Sequence, residues 1–173
     1  LVNVDNALFS LDFRAEERLA QLYVQVAGRS GRAEKQGEVV LQTHYPDHPL
    51  LTTLLEKGYQ AFAEETLKLR HNMGLPPFSF QALFKAQCRH SEEAENALSQ
   101  LASFFYEQKI EGLQVLGPIP APFSKKAGQY RWQLLLQHAS RKQLQAALSR
   151  YSPELIKSSQ VRLILDVDPL DLS

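Results

Sequence analysis

The chain is poor in what would let it fold by cross-linking or sit in a bilayer. It holds one cysteine, Cys88. A single thiol excludes an internal disulfide framework and a cysteine-based zinc site built from this chain alone, and it fits a reducing compartment. No apolar run reaches the roughly 18 residues that read as a membrane span. Leu1-Val2-Asn3-Val4-Asp5 has no basic segment ahead of an apolar one, so it reads as a strand entered halfway rather than as a signal peptide. Charge of neither sign is in excess: 19 lysines and arginines balance 19 acidic residues. A nucleic-acid-binding surface must then be a local patch. Also missing is any Gly-x-x-x-x-Gly-Lys-Ser/Thr phosphate loop. Against these absences, 44% apolar residues in a chain of 173 support one ordinary core or two small ones and argue against disorder.

The rest of the chain is organised around Gln25-Val26-Ala27-Gly28-Arg29-Ser30-Gly31-Arg32. Arg29 and Arg32 alternate with glycines at the end of an amphipathic helix. Glycine lets backbone turn and approach a ligand closely. A guanidinium stays charged and grips phosphate oxygens bidentately, which suits an arginine finger in phosphoryl transfer. The same residues also read as no more than a basic turn closing a helix.

Gln-x-x-Gly-Arg-x-x-Arg, here Gln25, Gly28, Arg29 and Arg32, resembles motif VI of superfamily 2 helicases. Further blocks occur in one order along the chain: Asp12-Phe13-Arg14-Ala15-Glu16-Glu17-Arg18, Gln36 to Thr43, Val115-Leu116-Gly117-Pro118, Tyr130-Arg131-Trp132-Gln133 and Leu165-Asp166-Val167-Asp168-Pro169. Together they resemble the replication-restart primosomal helicases, the primosomal protein N′ family, over nearly the whole sequence. The resemblance implies a longer parent. That parent would be an ATP- and Mg-dependent 3′-to-5′ DNA helicase, cytoplasmic and nucleoid-associated in bacteria, with zinc bound outside this fragment. It would recognise stalled or forked DNA and restart replication by primosome assembly. The chain is expected to be a C-terminal fragment that does not hydrolyse ATP alone. The alternative is a non-enzymatic nucleic-acid-binding module resembling a ribosomal protein, with the Gly-Arg motif as an RNA-contacting loop.

The expected fold is α/β and α+β. Residues 1–47 would be the end of a RecA-like helicase lobe 2 with motif VI, 48–77 a helical bridge, and 78–173 a C-terminal DNA- and partner-binding domain. Leu1 to Leu8 reads as a strand and a turn, with Asp5-Asn6 as the turn residues. Ser10 and Asp12 are both candidate caps for a helix from Phe13 to Ala27, whose buried stripe is Leu19, Leu22, Tyr23 and Val26. Gly37 to Thr43 reads as a buried strand. Pro49 starts a helix that either breaks or continues past Gly58, and Asn72-Met73-Gly74 closes it before Pro76-Pro77. His44, Asp47 and His48 lack a fourth ligand at a recognisable spacing, so no metal is expected there.

From Phe80 the pattern becomes β-α-β-β-α-β, the split βαβ sandwich. The strands are Phe80–Cys88, Leu113–Ala121, Tyr130–Gln137 and Val161–Val167. Ser91 and Ser140 cap the helices, and Cys88 belongs to the apolar set as a structural thiol. Helices on one face would leave the other sheet face free for a partner.

Phe123 to Gly128 reads as a basic loop. Lys125, Lys126 and Arg131 suit phosphates, and Tyr130 or Trp132 can stack on a base of forked or single-stranded DNA. Trp132 shares strand parity with Leu134 and Leu136, which also makes it a core residue; Arg131 points the other way, with the lysines. At the start of the second helix, Arg141 and Gln145 share a face beside free N–H groups. The resemblance implies that they hold the acidic C-terminal tail of single-strand DNA-binding protein; the other reading is a solvated helix start. Other primosome proteins are implied partners, and no membrane is. By the resemblance, Gln25, Gly28, Arg29 and Arg32 bind the nucleotide, with Arg29 and Arg32 its catalytic part. Asp12 to Arg18 admits two readings: helix-start charge pairs such as Arg14–Glu17, or coupling to DNA or nucleotide.

Overall fold

The computed structural model describes residues 4–10, 12–30 and 38–170, with Ser30 by its backbone alone. These residues form five helices and one four-stranded antiparallel sheet. They fall into two compact units, Leu1–Met73 and Gly74–Ser173.

The first unit is helical. It consists of α1 (Asp5–Leu8), α2 (Ala15–Ser30) and α3 (Pro49–Asn72). Asp12 starts α2: its carboxylate accepts the Arg14 N–H at 3.0 Å, and its own N–H donates to Ser10 Oγ at 3.1 Å. Pro49 occupies the first turn of α3, where a missing N–H costs nothing. Gly58 interrupts α3 at φ 84°, so two helical segments meet at a kink. Gly74, at φ 62°, follows the last turn, as left-handed C-terminal glycines do.

The structure answers three expectations in this unit. The turn expected at Asp5-Asn6 is a helical one, Asp5–Leu8, closed by bonds from the Ala7 and Leu8 N–H groups to Val4 O, and residues 1–3 of the expected strand lie outside the described residues. Glu38–Thr43 builds no ladder among the described residues, and Val40 is 66% exposed. A strand is stable only beside other strands; here Gln42 O accepts one bond from Val4 N–H at 3.1 Å. On α2 the buried position is Ala20, packed with Leu50, Leu54 and Phe62, while Leu22 is exposed. Of the expected stripe, Tyr23 packs against this cluster and Leu19 against the cluster of Val4, Leu8 and Leu51, so the expectation fails at Leu22.

The second unit runs β1 (Phe80–Cys88), α4 (Ser91–Glu107), β2 (Gln114–Lys126), β3 (Gln129–His138), α5 (Arg141–Ser158) and β4 (Arg162–Val167). The sheet order is β2-β3-β1-β4, the split βαβ arrangement. Alternation along the strands decides which face meets the helices. Ala82, Phe84, Ala86, Leu134 and Leu136 form one core with Leu98, Leu101 and Phe105 of α4 and Leu144 and Leu148 of α5. Cys88 packs at its rim, and its thiol donates to Glu93 at 2.8 Å. Ser140 caps α5 by accepting the Gln143 N–H at 3.4 Å.

Ser91 does not cap α4. The capping position belongs to His90, and Ser91 Oγ accepts the Trp132 indole N–H at 2.9 Å. The opposite sheet face is less open than expected. Gln81, Gln133, Gln137 and Leu83 are buried there. Gln137 donates to Gly74 O and to Gln114 Oε1, both at 3.0 Å, and accepts from Gln81 at 2.6 Å. Gln81 and Gln137 tolerate burial because their amides are paired, whereas Gln133 Oε1 is buried without a partner among the described residues.

Candidate nucleotide and nucleic-acid contact sites

Gln25, Gly28 and Arg29 are exposed together on the last turns of α2. A Cβ added at Gly28 would meet nothing within 4 Å, so no neighbour among the described residues requires glycine there. Arg29 also suits the negative end of the helix dipole, which is all that the helix-closing reading asks. Gly31 and Arg32 lie outside the described residues.

The block before α2 is held by pairs that span more sequence than expected. Arg18 meets Asp12 at 2.5 Å. Glu17 pairs with Arg70 at 3.0 Å rather than with Arg14. Arg70 is only 9% exposed; it also donates to Phe13 O at 3.0 Å and lies 4.8 Å from the centre of the Phe13 ring. Sequence reasoning placed Arg70 on a helix and missed this clamp, because its partners lie more than 50 positions earlier. Burial pushes the neighbouring Glu16 carboxyl above its ordinary value, and the Arg70 charge opposes that. At the other edge, Asp5 accepts from the Thr43 hydroxyl and from the His44 N–H at 3.0 Å. These bonds, with a smaller contribution from the His44 charge, hold its pKa below the ordinary value.

At the β2–β3 hairpin, Lys125 and Lys126 are strand residues rather than loop. The turn is the two-residue Ala127-Gly128, at φ 49° and 76°. Positive φ at both central positions gives the tight connection whose twist matches the strands. Lys125 pairs with Tyr130, and its ammonium lies 4.8 Å from the ring centre and 3.4 Å from the hydroxyl. Lys126 pairs with Gln129, which shares the parity of Arg131. The two lysines therefore fall on opposite faces, and only Lys126 accompanies Arg131. Trp132 packs against the core beneath the start of α4.

At the start of α5, Arg141 and Gln145 are both exposed. Arg141 already holds a carboxylate: it meets Asp168 at 2.5 Å, with its guanidinium 5.5 Å from the Phe80 ring centre. A helix N-terminus with a fixed guanidinium beside it is a carboxylate-binding arrangement.

Comparison with known proteins bears out the family resemblance. The family model described as the primosomal protein N C-terminal domain matches residues 71–170. The chain belongs to this family. It is 79% identical over its whole length to the replication restart protein PriA of Haemophilus influenzae, covering 24% of that protein. The PriA of Synechocystis is 33% identical over 99% of the chain, and that of Bacillus subtilis 30% identical over 98%. The chain spans about a fifth to a quarter of the length of these curated relatives. A de novo designed protein, Foldit4, aligns with 53% of the chain and 97% of its own at 9% identity and a TM-score of 0.41.

Within this primosomal protein N C-terminal domain family member, the described residues hold no group of three metal-ligating side chains. His44 is paired with Asp5. Among the described residues no helix is long and apolar enough to cross a membrane.

Proposed function

We propose that this chain works within an ATP-driven 3′-to-5′ DNA helicase that restarts replication at stalled or forked DNA by primosome assembly. The observation that carries the reading is its alignment along its whole length with restart proteins four to five times longer. The family match favours it over a ribosomal-protein-like module. Residues 1–47 belong on this reading to a RecA-like second lobe. Gln25, Gly28, Arg29 and Arg32 face ATP and Mg bound mostly by another lobe, and the arginines stabilise charge on the transferred phosphoryl group. The exposed Gly28 supports this, since glycine in a helix is otherwise a cost. Any zinc belongs to the rest of the longer protein, which is cytosolic and associated with the nucleoid.

The β2–β3 hairpin, with Lys125, Lys126 and Arg131 on phosphates and Tyr130 beside them, grips DNA without reading its sequence, while Trp132, packed on the core, supports the strand. Arg141 and Gln145 take the acidic tail of single-strand DNA-binding protein by exchange, the incoming carboxylate replacing Asp168. Other primosome proteins complete the assembly.

The test uses the longer protein. Arg29→Ala and Arg32→Ala should each cost about 10³ or more in DNA-stimulated ATP hydrolysis. DNA binding should stay intact. Hydrolysis within tenfold of the parent in both variants would overturn the nucleotide assignment. For α5, Arg141→Ala should abolish tail binding in a titration, and unchanged binding sinks that part.

A further inference from the structure

Strand β2 loses register with β3 beyond the sheet. Pro120 lies opposite Trp132, and the next paired residue, Lys125, lies opposite Tyr130. Five steps along β2 therefore match two along β3, and Ala121–Ser124 form a wide bulge facing Arg131. Bulges of this kind re-aim side chains and recur beside functional sites. Here Ala121 is drawn inward, 6% exposed, while Phe123 is left 69% exposed. Ser124, Lys125 and Lys126 follow it, all exposed.

The hairpin carries three aromatic rings, and two are engaged within the fold. Tyr130 has the Lys125 ammonium over its face. Trp132 packs on the core and donates its N–H to Ser91. Phe123 is the ring left exposed, and it stands next to the basic residues. An aromatic face beside lysines is the chemistry of single-strand binding: the ring stacks on a base, the ammonium groups hold phosphates, and no sequence is read. Paired bases already stack on their neighbours, so such a ring selects unpaired ones.

We propose that Phe123, presented by the Ala121–Ser124 bulge, is a stacking platform for an unpaired base of single-stranded DNA, with Lys125 and Lys126 on the flanking phosphates. This rests on the reading of the hairpin as a DNA-contacting element and assigns its strand preference to a residue that the motifs did not single out.

The experiment titrates the 173-residue chain at low salt with a single-stranded oligothymidine carrying one 2-aminopurine, and with a duplex of equal length. Phe123→Ala, Phe123→Trp and the double variant Lys125→Ala/Lys126→Ala are compared. Circular dichroism confirms folding, which an exposed position should leave intact. Phe123→Ala should weaken single-strand binding roughly 5- to 150-fold, abolish the 2-aminopurine quench, and leave duplex binding and the salt slope unchanged. Phe123→Trp should restore both signals. The lysine variant should weaken both DNAs and flatten the salt slope.

If Phe123→Ala binds single strands as the parent chain does, or weakens both DNAs equally, the stacking inference is overturned. Where the lysine variant still loses affinity in that case, the hairpin reading survives without it. If the lysine variant too is unchanged, or the parent chain binds neither DNA, both fall together.

Discussion

Replacing Gly117 with alanine should destabilise the second unit severely. Gly117 sits in β2 at φ 107°, a backbone conformation that side chains rarely adopt. A Cβ there would stand 3.0 Å from Gln133 O and 3.2 Å from Ile119 N. Both atoms are backbone, on the strand pair that flanks the register shift between Leu116 and Ile119. Neither can retreat without disturbing the ladder. Strain at a positive φ costs about 1–3 kcal/mol, and crowding against a fixed neighbour adds about 1–3 kcal/mol. Allowing for partial relaxation, the expected loss is about 2–4 kcal/mol. For a unit of this size that is a fall of roughly 10–25 °C in Tm. The assay is built into the chain. Trp132 is the only tryptophan, and it is anchored to Ser91 across the core face, so its fluorescence follows unfolding of this unit. A stability within about 0.5 kcal/mol of the parent, the range of an innocuous surface change, would refute the argument.

Gly28→Ala should act with the opposite sign, because Gly28 lies in a helix and a Cβ there would meet none of the described residues. The first unit should gain about 0.5–1 kcal/mol by far-UV circular dichroism, while the longer protein loses ATP hydrolysis. A gain in stability with hydrolysis unchanged would remove Gly28 from the nucleotide site. Arg70→Met should cost the first unit about 1–3 kcal/mol by leaving Phe13 O and Glu17 without their donor; an unchanged melt would mean that the clamp is incidental. Glu16→Gln should stabilise the first unit at neutral pH. The raised pKa means that the native state binds the proton more tightly than the unfolded chain, so ionisation is a cost present above the folded-state pKa. That cost fades as pH falls toward the ordinary carboxylate value, so the variant's advantage should shrink to nothing near about pH 4. An equal advantage at both pH values would point to packing instead.

The second unit was legible because each of its signals is local. Phe80, Ala82, Phe84 and Ala86 alternate as a half-buried strand must, and Ser140 announces a helix three residues before the N–H that it accepts. Legibility failed where a neighbour decides. Val39 to Thr43 has the composition of a strand, but composition does not supply a ladder. Ser91 has the chemistry of a cap, yet Trp132, 41 positions later, claims its hydroxyl. The Gln81–Gln137–Gln114 network looked like a wet strand face because glutamines one residue from apolar partners carry no mark of being paired with one another. At the candidate site, Gln25 and Arg29 could be placed on one helix face by spacing alone. Phe123 could not be singled out, since its exposure depends on three extra residues in β2 that only the register reveals.

The prolines of β2 have a consequence for assembly. In the order β2-β3-β1-β4 this strand forms an outer edge, and it is apolar: Leu116, Ile119 and Phe123 are all exposed. An edge of that kind tends to recruit a strand from another molecule and to seed aggregation. Pro118, Pro120 and Pro122 have no N–H to offer, and two breaks of register interrupt the line. A foreign strand finds no continuous row of donors there. The opposite edge, β4, runs without proline from Arg162 to Val167, so any sheet extension by a neighbouring chain is directed to that side.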